Sequence, residues 1–255
     1  MGFLAAIIAF AFCAFVYVRM IRREVPEQIG KAQAWVPVTV GLIAPILSSA
    51  LALGSGLLVF KLRGGEITGT EVISPAQSNL SPLPRSLLSA FLTAGLPEEL
   101  VKLLLALLMV KIFKPKNVYE YALAFTGVGA GFTVLEEALY SGGGFISLGR
   151  LVTFAMHMVL GLVMGVALGH ARYFRQHGGN AGKYILLGLI LPVLWHTIYD
   201  AGTASNAGFS EEVENIPAAA IIAGAVVVLA SVVLQFALLI RFKNKAAEFS
   251  GMELK

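Results

Sequence analysis

Seven apolar stretches, near residues 2–18, 34–60, 84–111, 119–141, 149–170, 183–203 and 216–240, set the terms on which this chain folds. A hydrocarbon core of roughly 30 Å is crossed by about 20 residues of helix at about 1.5 Å per residue. Lipid offers no hydrogen bonds, so each stretch must pair its own N–H and C=O groups, which a helix does. The expected fold is all-α: a polytopic membrane helix bundle of about seven transmembrane helices, forming a single transmembrane domain over residues 1–255. Composition agrees, with 57% hydrophobic and 13% charged residues against about 45–50% and about 25% in soluble domains. No internal repeat stands out, and no segment is large enough to fold as a second domain.

The first stretch has no positively charged leader, and its basic cluster follows the apolar run, so it reads as a retained helix rather than a cleaved signal. Lone Cys13 excludes an internal disulfide and reads as a small core residue. The net charge of +4 does not indicate nucleic acid, because the cations are spread over short loops at helix ends. One set of alternate loops carries fourteen of them: Arg19, Arg22, Arg23 and Lys31, then Lys111, Lys114 and Lys116, then Arg172, Arg175 and Lys183, then Arg241, Lys243, Lys245 and Lys255. The other set carries four, Lys61, Arg63, Arg85 and Arg150. The positive-inside rule then puts the N-terminus outside and the C-terminus in the cytoplasm of a multi-pass cell-membrane protein.

The connections say less. The outer stretch 61–83, rich in Gly, Ser and Pro, reads as a linker, with a lid as the alternative. The acidic segment 205–217 reads as a solvated turn, and Gly142–Gly144 as a flexible one. Gly127, Gly129 and Gly131 lie at helical spacing inside an apolar run with no strand before them, so they read as a packing face for neighbouring helices rather than as a phosphate loop.

Ionisable residues inside the apolar stretches carry the functional signal. They are Glu98, Glu99 and Lys102 in "LPEELVKLLLALL", Glu136 and Glu137 in "FTVLEEALY", His157 in "FAMHMVLG", and His196 and Asp200 in "LPVLWHTIYD". The five carboxylates and one ammonium would cost on the order of 15–20 kcal/mol if each faced lipid at a helix centre, so they must face one another. Measured along helices from the basic ends, Glu98, His157 and His196 each lie about 20 Å deep, and Glu136 and Asp200 about 26 Å. Four helices thus bring polar groups into one layer of the outer half of the bilayer.

Spacing suggests roles. Glu98 precedes Lys102 by four residues and Glu99 precedes it by three, both favourable for helical ion pairs. One lysine cannot neutralise two adjacent carboxylates, which leaves one of them to take and return a proton. Pro97 suits a first helical turn after Gly95, so a helix break is expected just above the pair, opening a wet cavity. His196 and Asp200 share a helix face, where the carboxylate can orient the imidazole.

These segments resemble a known family. "EELVK" (Glu98–Lys102), "FTVLE" (Phe132–Glu136), His157 followed by the small-residue run "HMVLGLVMGVALG", and "HTIYD" (His196–Asp200) match, in order and on separate helices, the motifs of PrsW-type intramembrane proteases, relatives of the larger CAAX-protease and bacteriocin-processing family. The likeness covers a motif-bearing core of about residues 85–203. It departs at Glu137, where many relatives carry asparagine. The resemblance implies hydrolysis of a membrane-anchored protein, such as an anti-sigma factor, in a prokaryotic plasma membrane, with the lipid bilayer as the other partner. It implies Glu98 as the water-activating base, Glu99 and Lys102 as groups that adjust its protonation, His196 with Asp200 as the stabiliser of the tetrahedral oxyanion, and Glu136 and His157 as the rest of the water-holding cluster.

Two mechanisms stay open. Glu136, His157 and His196 make a zinc ligand set with room for water, leaving Glu98 as general base. Against zinc, no HExxH pair is present, the three donors come from three helices, and adjacent carboxylates can activate water unaided. The sequence favours a glutamate-based site with no required cofactor, with zinc as the alternative. A proton-coupled transporter and a non-catalytic scaffold are the rival classes, and the single polar layer, with apolar helix halves beneath it, argues against a relay across the membrane. Glu137 reads as structural, His170 and His177 as residues of the cytoplasmic edge, and Trp195 and Tyr199 as interfacial anchors rather than pocket walls.

Overall fold

The structure, a computed structural model, describes residues 2–23, 29–62, 82–142, 155–207 and 218–255. Most of the 61–83 stretch, most of the 205–217 segment, Gly143 and Gly144, and Arg63 and Arg150 lie outside the described residues. In chain order the α-helices are α1 (Gly2–Ile21), α2 (Lys31–Gly41), α3 (Ala44–Leu62), α4 (Pro82–Ala90), α5 (Leu96–Phe113), α6 (Val118–Gly142), α7 (Met156–His177), α8 (Ala181–Ala207), α9 (Ala218–Asn244) and the short α10 (Ala246–Ser250). No β-strand occurs among the described residues; one isolated bridge joins Asn117 and Glu253.

Every apolar stretch lies largely on helix, with two internal adjustments. The 34–60 stretch is divided at Leu42–Ile43 into α2 and α3, because Pro45 has no N–H to continue the ladder. The 84–111 stretch does not break above Glu98, as Gly95 and Pro97 lead one to expect. A π-helical turn, Phe91–Gly95, joins α4 to α5, and the N–H of Leu96 reaches back to the carbonyl of Phe91. The wider turn absorbs the N–H missing at Pro97, and π turns of this kind concentrate at functional sites.

Helix α6 is the axis of the bundle. Its small residues allow neighbours to approach to backbone contact, the packing that lipid favours because apolar burial alone does not drive helices together there. A Cβ added at Gly129 would meet the carbonyl of His157 on α7, and one at Gly131 the carbonyl of Val38 on α2. On the α7 side, Gly161 faces the backbone of Phe125 and Gly165 that of Ala122. Tyr17 of α1 donates to the carbonyl of Ala34 at 2.7 Å, and Tyr119 of α6 to that of Met20 at 2.6 Å. Cys13 is buried beside Ala130 and Met158, as a small core residue would be.

The basic segments gather at one end. The N–H of Leu254 donates to Lys116 O at 2.7 Å, Arg172 Nη2 to Lys255 O at 2.9 Å, and the N–H of Val118 to Met252 O. Asn117 caps α6 through the N–H of Glu120, and Asn180 caps α8 through that of Lys183. Among the described residues four segments are long and apolar enough to cross a membrane: Lys31–Gly54, Val118–Tyr140, Ala181–Gly202 and Ile222–Asn244. This is fewer than the seven expected. The apolar helix Ala6–Ile21 is shorter, α5 carries Glu98, Glu99, Lys102 and Lys111, and α7 is diluted by Gly161, Gly165 and Gly169.

Candidate active site

Helices α5, α6, α7 and α8 each deliver ionisable side chains to one place. The π turn seats the start of α5 against α8: a Cβ on Gly95 would strike Thr197 Oγ1 and the carbonyl of Val193. That contact sets Glu98 and Glu99 opposite His196. Pro192 removes one α8 ladder bond a turn before His196. His157 lies on the first turn of α7, held close to α6 by Gly129.

Lys102 is fully enclosed. Its Nζ lies 2.6 Å from Glu99 Oε1 and donates to His157 Nδ1 at 2.8 Å, while the ring of Phe132 covers it with its centroid 4.2 Å away. Because His157 Nδ1 accepts from the ammonium, Nε2 carries the ring hydrogen, and it faces Glu136 Oε2 at 2.6 Å. His196 Nδ1 donates to Glu99 Oε1 at 2.8 Å. Glu99 Oε1 thus receives both the lysine and the second histidine. The two imidazoles meet edge to face with centroids 5.0 Å apart, and Phe132 packs on His157 at 4.5 Å.

Glu98 is placed differently from its neighbour. Sequence spacing allowed Lys102 to pair with either glutamate; α7 decides, because His157 draws the ammonium to the Glu99 side. Glu98 Oε2 is buried without a hydrogen-bond partner, 3.7 Å from His196 Nε2 and 3.9 Å from His157 Nδ1. Asp200 Oδ2 stands 3.4 Å from the same His196 nitrogen and is the more solvent-exposed of these groups, its side chain 29% exposed. Four carboxylates share the cluster with one ammonium. Two of them face His196 Nε2, so a proton or a cation has to stand between those lone pairs.

The structure therefore brings Glu98, Glu99, Lys102, Glu136, His157, His196 and Asp200 together. Glu137 is buried on another face of α6, near Cys13. Tyr199 differs from its expected interfacial place: it is buried against Met156 and Leu160, with Trp195 packed alongside, because the α7–α8 contact extends past the cluster. The sequence assigns no role to Phe132 or Thr197, and it marks Gly95 as a helix break rather than as the close contact with α8. Phe132 sits in a quoted motif, and an aromatic four residues before a buried glutamate on a helix was the available signal.

Glu98, His157 and His196 each offer a donor atom within 4.8 Å of the other two, which suits an ion held by two imidazoles and a carboxylate. This is not the set expected from sequence, since Glu136 stands 2.6 Å from the other nitrogen of His157, where its charge faces the ring instead. The partnerless oxygen of Glu98 and the carboxylates behind both imidazoles fit such an ion. The Lys102 hydrogen bond to His157 Nδ1 does not, and must be released for that nitrogen to coordinate.

A bundle of membrane-length helices around one buried cluster of acids, imidazoles and an ammonium defines a multi-pass membrane protein with an acid–histidine site. The profile described as PrsW family intramembrane metalloprotease matches residues 41–234. The chain belongs to this family. It is similar to Protease PrsW of Halalkalibacterium halodurans, 34% identical over 123 residues, which is 45% of this chain and 54% of that protein. It is also similar to Protease PrsW of Shouchella clausii, 31% identical over 135 residues, 49% and 57% of the two chains. Protease PrsW of Bacillus subtilis is 29% identical over 117 residues, 44% and 52%. The chain spans about half the length of the curated relatives it matches. No solved structure matches it.

Proposed function

We propose that the protein is an intramembrane endopeptidase that hydrolyses a peptide bond of a membrane-anchored protein, an anti-sigma factor being the expected kind of substrate, with water activated by Glu98. The observation that carries this reading is the buried, partnerless Glu98 Oε2 facing two imidazoles. A water between these groups gives one proton to Glu98, and its oxygen adds to the substrate carbonyl carbon. The oxyanion that forms accepts a hydrogen bond from His196 Nε2–H, with Asp200 balancing the imidazolium. Glu98 returns the proton to the leaving amine, so water's two hydrogens end on the new carboxyl and amino groups. Glu99 holds His196 through Nδ1, Lys102 holds Nδ1 of His157, and the Glu136 carboxylate faces its Nε2 at 2.6 Å.

A second reading is favoured by the close grouping of Glu98, His157 and His196 and by the family's description. These three would hold a divalent ion such as zinc, which when bound polarises a carbonyl and acidifies a water. Asp200, the more exposed carboxylate beside His196, would then be the group able to accept a proton, and Lys102 would have to leave His157 Nδ1.

The charge asymmetry and the gathering of basic segments at one end support seven crossings of one domain, with the N-terminus outside and the catalytic core over about 85–203. Purified protein in liposomes with a panel of single-span substrates tests the function. Cleavage is expected from the wild type, and Glu98→Gln should lower it about 10³-fold or more while the protein stays folded. No cleavage of any substrate by the wild type, or full activity in Glu98→Gln, overturns the reading. Stoichiometric zinc with chelation-sensitive activity selects the second mechanism, and full activity in metal-free protein the first.

A further inference from the structure

Helices α8 and α9 meet near the ends away from the basic face, where Gly202 packs against Val227, and they part toward the basic end. The opening between them is a groove of about 430 Å³. Val166 and Ala167 of α7 form its floor, and Leu187, Leu191 and Leu238 its walls. Both walls belong to membrane-length apolar segments, Ala181–Gly202 and Ile222–Asn244. Water has no polar partners on such walls, so in a bilayer the groove is filled by hydrocarbon.

The mouth is of another character. Arg241, Lys245 and His170 line it, with Glu248 beside them. Arg241 is exposed. His170 uses Nδ1 to donate to Val166 O at 2.7 Å and stacks on Tyr184, which leaves Nε2 as its remaining polar atom. Lys245 Nζ is 2.6 Å from Glu248 Oε2, but the two side chains are 38% and 54% exposed, and a pair in contact with water yields readily to a competing anion. An apolar trough that ends in two cations at the edge of a membrane matches one molecule type, a lipid with an anionic headgroup.

We propose that the groove between α8 and α9 binds one anionic phospholipid, with an acyl chain along the α7 floor and the headgroup phosphate at Arg241 and Lys245. The mouth of the groove, beside Tyr184, lies twelve residues before His196 along α8, and the site is independent of the proposed peptidase chemistry.

Native mass spectrometry of the full chain, released from micelles carrying equal amounts of phosphatidylglycerol and phosphatidylcholine of the same acyl chains, tests it. The wild type should retain one phosphatidylglycerol in preference, and an excess of inorganic phosphate should leave it bound. Arg241→Gln with Lys245→Gln should weaken retention about fivefold per cation removed, whereas Lys114→Gln with Lys116→Gln, at the same end but off the groove, should not. Ala167→Phe should displace both lipids by filling the floor, and Leu187→Trp serves if that variant does not fold. Equal retention of the two lipids by wild type, an unchanged preference in the Arg241/Lys245 variant, or an equal loss in the Lys114/Lys116 variant overturns the proposal.

Discussion

Two lysine–glutamate pairs in this molecule have the same helical spacing and the same length. Lys102 and Glu99 lie 2.6 Å apart, as do Lys245 and Glu248, and both are i,i+3. The first pair is 2% and 0% exposed, the second 38% and 54%. Geometry alone therefore says nothing about what either contributes. At the basic end, water screens both partners whether or not they touch. Inside the bundle neither ion has an alternative solvent, so each is held by further groups: Lys102 by His157 and Phe132, Glu99 by His196. The buried pair is the centre of a network, while the exposed one stands as an isolated contact.

The largest effect is expected from breaking the buried pair. Lys102→Met keeps the unbranched apolar stem of the side chain and removes its charge, leaving Glu99 buried with His196 alone. Removing one partner of a buried pair costs about 3–5 kcal/mol, read as a fall in thermal stability of the detergent-purified protein, and cleavage should fall with it. The same variant frees His157 Nδ1. Zinc content by elemental analysis should be unchanged from wild type if the site works without metal, and should rise if the ammonium is what keeps an ion out. A Lys102→Met protein as stable as wild type would erase the contrast between the two pairs.

Next comes the packing that brings the network together. Gly129→Leu places a side chain against the carbonyl of His157, where the backbone of α7 would have to move. Overpacking of this kind costs about 1–3 kcal/mol, and the shift separates His157 from Glu136, so cleavage should drop further than stability alone explains. Cleavage measured below the unfolding transition separates the two effects. Normal activity there would mean that the α6–α7 approach does not set the site.

Glu136→Gln should act on the reaction rather than on the fold. The amide still meets His157 Nε2 but no longer presents a carboxylate to it. Groups that orient a functional histidine from behind typically contribute about 10–100-fold, and that loss is expected in the turnover rate with substrate affinity retained. A loss as deep as that of Glu98→Gln would promote Glu136 from positioning His157 to touching the reacting atoms.

These contrasts also mark what the sequence could tell. Glu98, Glu99, Lys102, Glu136, His157, His196 and Asp200 stood out because a charge in an apolar run needs a reason, and counting residues along each helix put them in one layer. Which glutamate takes the lysine was not legible, since i,i+3 and i,i+4 partners are both within reach and the choice falls to His157 on another helix. The π turn above Glu98 was hidden too. Apolar patterning records which residues face lipid, not whether the ladder runs i→i−4 or i→i−5. Hydrophobicity even points outward here: 78% of the apolar window in α6, which carries Glu136 and its glycines, is buried, against 17% of that in the more uniformly apolar α9. In lipid, small and polar residues mark the centre, and long apolar ones mark the rim.

The smallest effect belongs to the exposed pair. The Lys245 ammonium beside Glu248 holds its carboxyl below the usual carboxylate range. A group whose folded value is depressed lends stability above its unfolded value, and loses it as pH falls through the folded one. The contribution is therefore complete at neutral pH and disappears only in acid. Lys245→Gln should move Glu248 back toward ordinary titration, with His170 and Arg241 still lowering it, seen as an upward shift of its carboxyl resonance midpoint by NMR in lipid-free micelles, with the neutral-pH melting temperature unchanged within error. Solvent competes for both partners throughout, so the titration should move without the fold following it. A clear loss of neutral-pH stability in Lys245→Gln would show that α10 is fastened by this pair, and that the basic end is built more like the buried cluster than its exposure implies.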